Sequence, residues 1–250
     1  MISGRVRGRR RGRASFGVDA PEVGAGLAAA TVSGLVAATA VTPVRGRWWL
    51  RAFAWVVAVS CAVTLLSYLH GTLRGKFRIW EEELDRLALR GDETVVDLGC
   101  GRGLVLLAAA ARLPRGRAIG VDVWRGVDQS GNGPEATRAN ADILGVADRV
   151  ELHTADVRDL PLPDGCADVV VSSLVLHNLP DAQARSAALG EAVRLLRPGG
   201  RLVLLDIAHV DRYAEVLTAS GLLDVHHRNA GWRYFVPPRG SRILTATRPR

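Results

Sequence analysis

The sequence predicts an α/β fold in which two transmembrane helices precede a doubly wound sheet of seven strands. From residue 94 onward, short apolar runs alternate with longer helical segments, which is typical of a parallel sheet covered by helices. A glycine-rich turn follows the first of these strands, where nucleotide-like ligands bind in such sheets. Two long uncharged apolar runs precede residue 70.

The first 22 residues form a basic, glycine-rich segment with six arginines, which we predict to be a disordered tail. The net charge of the chain is +8, but residues 1–78 hold 12 of its 33 basic residues and only 2 of its 25 acidic residues. The rest of the chain is slightly acidic. The basic character therefore does not indicate a nucleic-acid-binding domain, and we predict no nucleic-acid partner.

The two apolar runs have the length of membrane-spanning helices. Residues 23–44 carry no charge and would be about 33 Å long as a helix, close to the hydrocarbon thickness of a bilayer. Residues 52–69 form the second run, and two tryptophans precede it, as expected at a membrane interface. We predict a transmembrane hairpin over residues 23–70 with a loop at residues 43–51. A signal peptide would explain only one run, and a soluble helical hairpin is an alternative.

Small residues and charges predict how this hairpin is arranged. Gly26, Ala30, Gly34 and Ala38 recur every four residues and predict the face on which the two helices pack. The tail carries six arginines and the loop three, while three further basic residues follow the second run. This count favours both termini on the cytoplasmic side. We therefore predict a multi-pass protein of the cell membrane whose main domain faces the cytoplasm.

An amphipathic helix at residues 77–90 opens the main domain, which we predict to extend over residues 77–250. The predicted strands are at residues 94–98, 117–122, 150–155, 168–173, 201–207, 223–228 and 241–247. The predicted helices between them are at residues 104–112, 133–144, 181–196 and 213–220.

The first strand ends in an acid that is followed by alternating glycines. Asp97 is followed by Gly99, Gly101 and Gly103, and a helical segment begins at Leu104. Glycine is needed where the backbone takes a positive φ or lies against a ligand. The dinucleotide fingerprint Gly-x-Gly-x-x-Gly is not matched, because its third glycine would fall at Leu104.

The pattern from Asp97 to Gly103 resembles the first motif of class I S-adenosylmethionine (SAM) methyltransferases. Asp122 and Asp156, which follow the second and third strands, resemble the acids of the second and third motifs. Residues 168–180 resemble the fourth motif, and residues 196–202 resemble a turn of the ubiquinone/menaquinone-biosynthesis methyltransferases. The resemblance covers about residues 80–250. It implies a Rossmann-like, seven-stranded methyltransferase sheet with SAM as the cofactor.

The resemblance also implies a role for individual residues. The glycines would let the amino-acid end of SAM approach the backbone, Asp122 would accept from both ribose hydroxyls, and Asp156 would accept from the adenine amino group. The cofactor-binding residues that it implies are Asp97, Gly99, Cys100, Gly101, Gly103, Asp122, Val123, Asp156, Val157 and Ser173. Trp124 could cover the adenine, and three polar residues of the same loop could line the substrate mouth, although an ordinary polar loop explains them equally well. These three are Asp128, Gln129 and Asn132.

The reaction expected from this resemblance is in-line transfer of a methyl group to a small molecule. The hairpin favours an apolar acceptor, and the motif of amino-directed DNA methyltransferases is absent after the fourth strand. His177 is the best candidate for a general base, while Asp206 and His209 are weaker ones. The cysteines and histidines do not have metal-ligand spacing, so we predict no metal.

Two other classes of function are open from the sequence. A membrane-anchored module could bind SAM without turnover, because the same residues would form its site. An NAD-dependent oxidoreductase would also use an acid such as Asp122 for the ribose, but its glycine spacing would be anomalous. The sequence leaves the oligomeric state open.

Overall fold

The computed structural model describes residues 13–40, 48–231, 235–236 and 239–250 of the chain. The helices are α1 (Pro21–Ala40), α2 (Trp48–His70), α3 (Lys76–Arg86), α4 (Leu104–Ala110), α5 (Pro134–Leu144), α6 (Ala182–Leu195) and α7 (Val210–Ala219). The strands are β1 (Thr94–Leu98), β2 (Arg117–Asp122), β3 (Val150–Thr154), β4 (Ala167–Ser173), β5 (Leu196–Asp206), β6 (Leu223–Asn229), β7 (Phe235–Val236), β8 (Arg239–Gly240) and β9 (Arg242–Thr247).

Seven of the strands form one sheet in the order β3-β2-β1-β4-β5-β9-β6. The first five strands in this order are parallel to one another, and β9 runs antiparallel to both β5 and β6. The chain order reverses between β1 and β4, which is where ligands bind in open α/β sheets. The predicted seven-stranded, doubly wound sheet is confirmed.

The sheet is buried between two layers of helices. Leu84 of α3 and Leu106 of α4 pack on one face, and Leu189 of α6 and Leu217 of α7 pack on the other. The central strands are therefore buried on both faces and consist mainly of Val and Leu, as expected of parallel strands. This double burial fixes the carboxyl ends of β1, β2 and β4 relative to one another.

Helices α1 and α2 pack against each other and leave most of their apolar side chains exposed. By length and composition, α1 and the helical stretch Trp48–Arg86 could each cross a membrane. A Cβ atom on Gly34 would lie 3.0 to 3.2 Å from atoms of Ala58, so the two helices touch at this point. The predicted packing face is correct at Gly34 and Ala38 but wrong at Gly26 and Ala30, which are exposed. A row spaced by four drifts around a helix of 3.6 residues per turn and leaves the contact line.

The second helix of the hairpin does not end where its uncharged run ends. A π-helical turn, Gly71–Gly75, joins α2 directly to α3, so helical backbone continues from Trp48 to Arg86. The predicted hairpin ends at residue 70, and the next predicted helix begins at residue 77. Charge marks the end of a predicted span, but it does not interrupt backbone hydrogen bonding. The hairpin is thus connected to the domain by continuous helix. Most of the predicted loop at residues 43–51 lies outside the described residues.

Two further segments differ from the sequence-based expectation. Strand β5 begins at Leu196 rather than at residue 201, because the turn before it pairs with β4 across a register shift between Ala167 and Val169. Residues 15–20, which we call the N-terminal strap, are hydrogen-bonded to the domain, although they fall in the predicted disordered tail. Composition did not reveal this because the arginines and glycines before the strap dominate the segment, and the partners of the strap lie far away in the sequence. Residues 1–12 lie outside the described part of the chain.

The contact at Gly34 gives a testable prediction about the hairpin. Gly34→Leu should lower the free energy of unfolding in detergent by about 1–3 kcal/mol, because the new side chain would push against Ala58. Gly26→Leu is the matched control, since no atom lies within 4 Å of a Cβ added there. Thermal unfolding of both full-length variants measures the difference. Equal stability of the two variants would contradict the helix contact.

Candidate functional site

A cavity, which we call the strand-end cavity, lies at the carboxyl ends of β1, β2 and β4. Nine of the ten residues predicted to bind the cofactor line it, namely Asp97, Gly99, Cys100, Gly101, Asp122, Val123, Asp156, Val157 and Ser173. The structure thus brings together residues from four separate parts of the chain. Gly103 is the exception. It precedes α4 with a φ of 84°, and a Cβ atom on it would lie 2.9 Å from Thr137 and 3.0 Å from Leu107 rather than in the cavity.

The glycine turn closes one side of this cavity with exposed backbone. Gly99 has a φ of 73°, and a Cβ atom on it would lie 2.3 Å from Val175, which also lines the cavity. Gly101 has a φ of 51°, and its Cβ would lie 2.5 Å from the Oε1 atom of Gln129. Both positions therefore require glycine for conformation and for space.

Asp97 lies at the end of β1 and is almost completely buried. Its Oδ2 atom accepts a hydrogen bond of 2.9 Å from the backbone N–H of Leu106, but its Oδ1 atom has no partner among the residues that the structure describes. Burial raises the pKa of Asp97 to about 7, with the nearby Asp122 contributing in the same direction. A buried carboxyl with an unpartnered oxygen at a cavity wall is suited to receive a donor from a ligand.

Asp122 at the end of β2 ties the second strand to the glycine turn. Its carboxylate accepts 2.8 Å from the N–H of Gly101 and 2.6 Å from the N–H of Trp124. Burial raises its pKa, while the hydrogen bonds from those two N–H groups act in the opposite direction. Burial is also the main reason why the pKa of the Cys100 thiol is well above its usual range. The Cys100 thiol is therefore neutral, and Cys100 lines the cavity without acting as a nucleophile.

Asp156 occupies the end of the cavity that the resemblance assigns to the adenine. Its carboxylate accepts from the guanidinium of Arg158 at 2.6 and 2.9 Å and from the Arg158 backbone N–H at 2.9 Å. These contacts lower the pKa of Asp156. Arg158 also lines the cavity, so an adenine amino group would approach a carboxylate that is already charged and fixed in orientation.

The loop after β2 lines the cavity with its polar residues, as the sequence had suggested for Asp128, Gln129 and Asn132. Trp124 does not line the cavity. Its φ is 60°, and its indole N–H donates 2.8 Å to the hydroxyl of Thr154. The ring therefore does not cover an adenine site in this arrangement.

The structure does not bring His177 into the cavity. Its Nδ1 atom lies 2.6 Å from the Oδ1 atom of Asp206, and its backbone N–H donates 3.2 Å to the same carboxylate. The neighbouring Asn178 lines the cavity instead. His209 lies elsewhere, in a second concavity with Asp211. The expected general base is thus part of a pair that anchors the loop after β4.

Two of the charged cavity-wall residues that sequence reasoning missed are Asp19 and Lys76. Both lie outside the predicted domain of residues 77–250, one before α1 and one at the start of α3. Lys76 is the only lysine in the chain, and its side chain is only 4% exposed. Being the only lysine was the one feature of the sequence that could have drawn attention to Lys76.

The charges of the cavity favour a cationic ligand. Five acids line it, against one lysine and two arginines, and two of the acids flank the glycine turn. A diphosphate placed on this turn would face Asp97 and Asp122, whereas a sulfonium or ammonium group would be attracted to them. The residues present therefore fit SAM, and they fit a dinucleotide poorly.

Comparisons with known proteins agree with this geometry. Residues 96–204 match a family model described as a methyltransferase domain. The 27-O-demethylrifamycin SV methyltransferase of Amycolatopsis mediterranei is 37% identical over 126 residues, which cover 49% of this chain and 43% of the relative. The ubiquinone/menaquinone biosynthesis C-methyltransferase of Roseobacter denitrificans is 31% identical over 137 residues, covering 54% and 51%.

A solved structure extends the likeness to the fold. The geranyl diphosphate C-methyltransferase of Streptomyces coelicolor A3(2) superposes with a TM-score of 0.54 at 19% identity, covering 67% of this chain and 74% of that one. The chain spans about half the length of the two curated relatives. The segment matched by the family model runs from within β1 to within β5 and includes Asp97, Asp122 and Asp156. Residues 96–204 are thus similar to a methyltransferase domain, and the sheet around them has the fold of a SAM-dependent methyltransferase.

Proposed function

We propose that this protein transfers a methyl group from SAM to a small-molecule acceptor. The observation that carries the proposal is the buried Asp97, whose Oδ1 atom faces no donor among the described residues and lies beside a glycine turn that only glycine can form. The acidic wall around it suits a ligand with a positive sulfonium. The family and the relatives support the same reaction.

The residues of this chain would act mainly by binding and alignment. SAM itself supplies the activated methyl group when it is bound. Asp122 would hold the ribose, the Gly99 and Gly101 backbone would receive the amino-acid end, and Asp156 would orient the base. Holding two reactants in line can contribute about 7–11 kcal/mol to catalysis in favourable cases. No proton transfer is assigned to His177, because it does not line the strand-end cavity.

Membrane attachment through residues 23–70 is part of the proposal. Its support is the pair of exposed apolar helices and the basic residues at both ends of the hairpin. We propose a cytoplasmic position for the domain, since SAM is a cytosolic metabolite. An acceptor that partitions into lipid, such as a quinone, lipid or polyketide-like compound, would then reach the site from the bilayer. Two relatives are named for ubiquinone/menaquinone biosynthesis and for 27-O-demethylrifamycin SV.

The activity is tested with full-length protein in lipid nanodiscs. Calorimetry should detect binding of SAM but not of NAD, and labelled methyl groups from SAM should enter an organic extract of cells. In Gly99→Ala, binding should weaken about tenfold or more, because the added Cβ would lie 2.3 Å from Val175 in a backbone with positive φ. Binding of SAM without labelled product from any extract would favour a binding module. Preferential binding of NAD would overturn the assignment.

The pKa of Asp97 predicts how SAM binding depends on pH. This carboxyl is about half protonated near pH 7, and a cationic ligand beside it favours the ionised form. The affinity for SAM should therefore fall as the pH is lowered through 7, by up to about tenfold per pH unit below the pKa. Asp97→Asn should bind SAM more weakly and without this dependence. Equal wild-type affinities at pH 6 and pH 8 would contradict the role given to Asp97.

Delivery of the acceptor from the bilayer has its own test. Methylation of a lipid-soluble acceptor should be faster in nanodiscs than in detergent at the same protein concentration, while the affinity for SAM stays equal in both. A water-soluble analogue of the same acceptor is the control and should show no such difference. Orientation is tested in inverted membrane vesicles, where a protease site added after Arg250 should be cleaved. Protection of that site would place the domain on the opposite side.

A further inference from the structure

The N-terminal strap forms one wall of the strand-end cavity. It lies along the loop after β2, where the N–H of Ser130 donates 3.0 Å to the carbonyl of Val18 and the N–H of Ala20 donates 2.9 Å to the carbonyl of Asp128. Between these two bonds, the side chain of Asp19 reaches the cavity. The segment immediately before α1 is therefore part of the site.

Asp19 is paired with a buried cation at the base of the hairpin. The Nζ atom of Lys76 lies 2.7 and 2.8 Å from the two carboxylate oxygens of Asp19, and the hydroxyl of Thr72 donates 3.0 Å to the same group. A buried ammonium is costly without such a partner. Because Asp19 precedes α1 and Lys76 follows α2, their ion pair joins the two ends of the hairpin.

The same carboxylate is linked to the glycine turn through one side chain. The Nε2 atom of Gln129 donates 3.3 Å to Asp19, and its Oε1 atom accepts 2.8 Å from the backbone N–H of Arg102. The guanidinium of Arg102 in turn donates 2.8 Å to the carbonyl of Ser15 in the strap. The glycine turn is thus held to the strap at two places, one of which depends on Asp19.

We propose that Asp19 is a positioning residue of the cofactor site. By holding Lys76 and Gln129, it fixes the cavity wall and the glycine turn in the arrangement that receives SAM. SAM affinity therefore depends on a closed hairpin base, and the functional unit begins at the strap rather than at residue 77. This inference rests on the proposed function, since it takes SAM as the ligand.

The test compares full-length variants in nanodiscs by SAM calorimetry and by thermal unfolding without ligand. Asp19→Asn should raise the Kd for SAM by about tenfold or more, and Asp19→Glu should restore much of the affinity. Glu22→Gln is the matched control, because it removes an exposed acid three residues further along and should leave the Kd unchanged. Gln129→Ala should weaken SAM binding while it leaves the Asp19–Lys76 pair intact.

The route through Gln129 is tested by the double variant Asp19→Asn/Gln129→Ala. Its loss of affinity should be smaller than the product of the two single losses, because both variants break the same link. In Asp19→Asn/Lys76→Met no buried charge is left unpaired, so this variant separates loss of positioning from loss of folding. It should unfold near the wild-type temperature and still bind SAM weakly.

Three results would each overturn a different part of this inference or of the proposed function. Wild-type affinity in both Asp19→Asn and the Asp19→Asn/Lys76→Met variant would overturn the positioning role and leave the proposed function intact. Independent effects of the Asp19 and Gln129 changes would overturn the route through Gln129. Failure of the wild-type protein itself to bind SAM would instead overturn the proposed function.

Discussion

Two buried carboxylates fix the glycine turn and the helix that follows it, and the rest of the site depends on them. Asp97 accepts from the N–H of Leu106 in α4, and Asp122 accepts from the N–H of Gly101 in the turn. Together they tie β1, β2 and α4 to one short stretch of backbone. The low exposure that makes these hydrogen bonds strong also raises the pKa of both acids. The burial of Asp97 and Asp122 therefore both stabilises the turn and prepares the two acids to bind a cationic ligand.

The hairpin and the sheet meet at this same place. Helical backbone runs from α2 through the π-turn into α3, and Lys76 lies on it next to the cavity. One helical turn further, the indole N–H of Trp80 donates 2.8 Å to the hydroxyl of Ser173 at the end of β4. One helix thus carries both an ion pair with the strap and a hydrogen bond to the central sheet. A rotation of the hairpin would disturb both.

The sequence predicted what depends on local pattern and on motif order. The strands, the doubly wound sheet and the residues at the ends of β1, β2 and β3 follow from apolar runs, turns and the spacing of acids. Asp19 could not be predicted in the same way, because its role arises from contacts with residues 53 to 110 positions away. The position of the His177 side chain could not be predicted for a related reason. Its place after β4 was predicted correctly, but the direction of its ring is set by Asp206 on a different strand.

The position of the strap bears on how a lipid-soluble acceptor would reach the site. On the proposed topology, Asp19 and Lys76 lie where the hairpin leaves the membrane, and both line the cavity. The cavity wall and the membrane surface would then share the same few residues. An acceptor leaving the bilayer would have only a short distance to cross, and its apolar part would stay away from water. This arrangement requires that Lys76 be paired with Asp19. An unpaired ammonium at the membrane boundary would bind water there and disfavour an apolar acceptor.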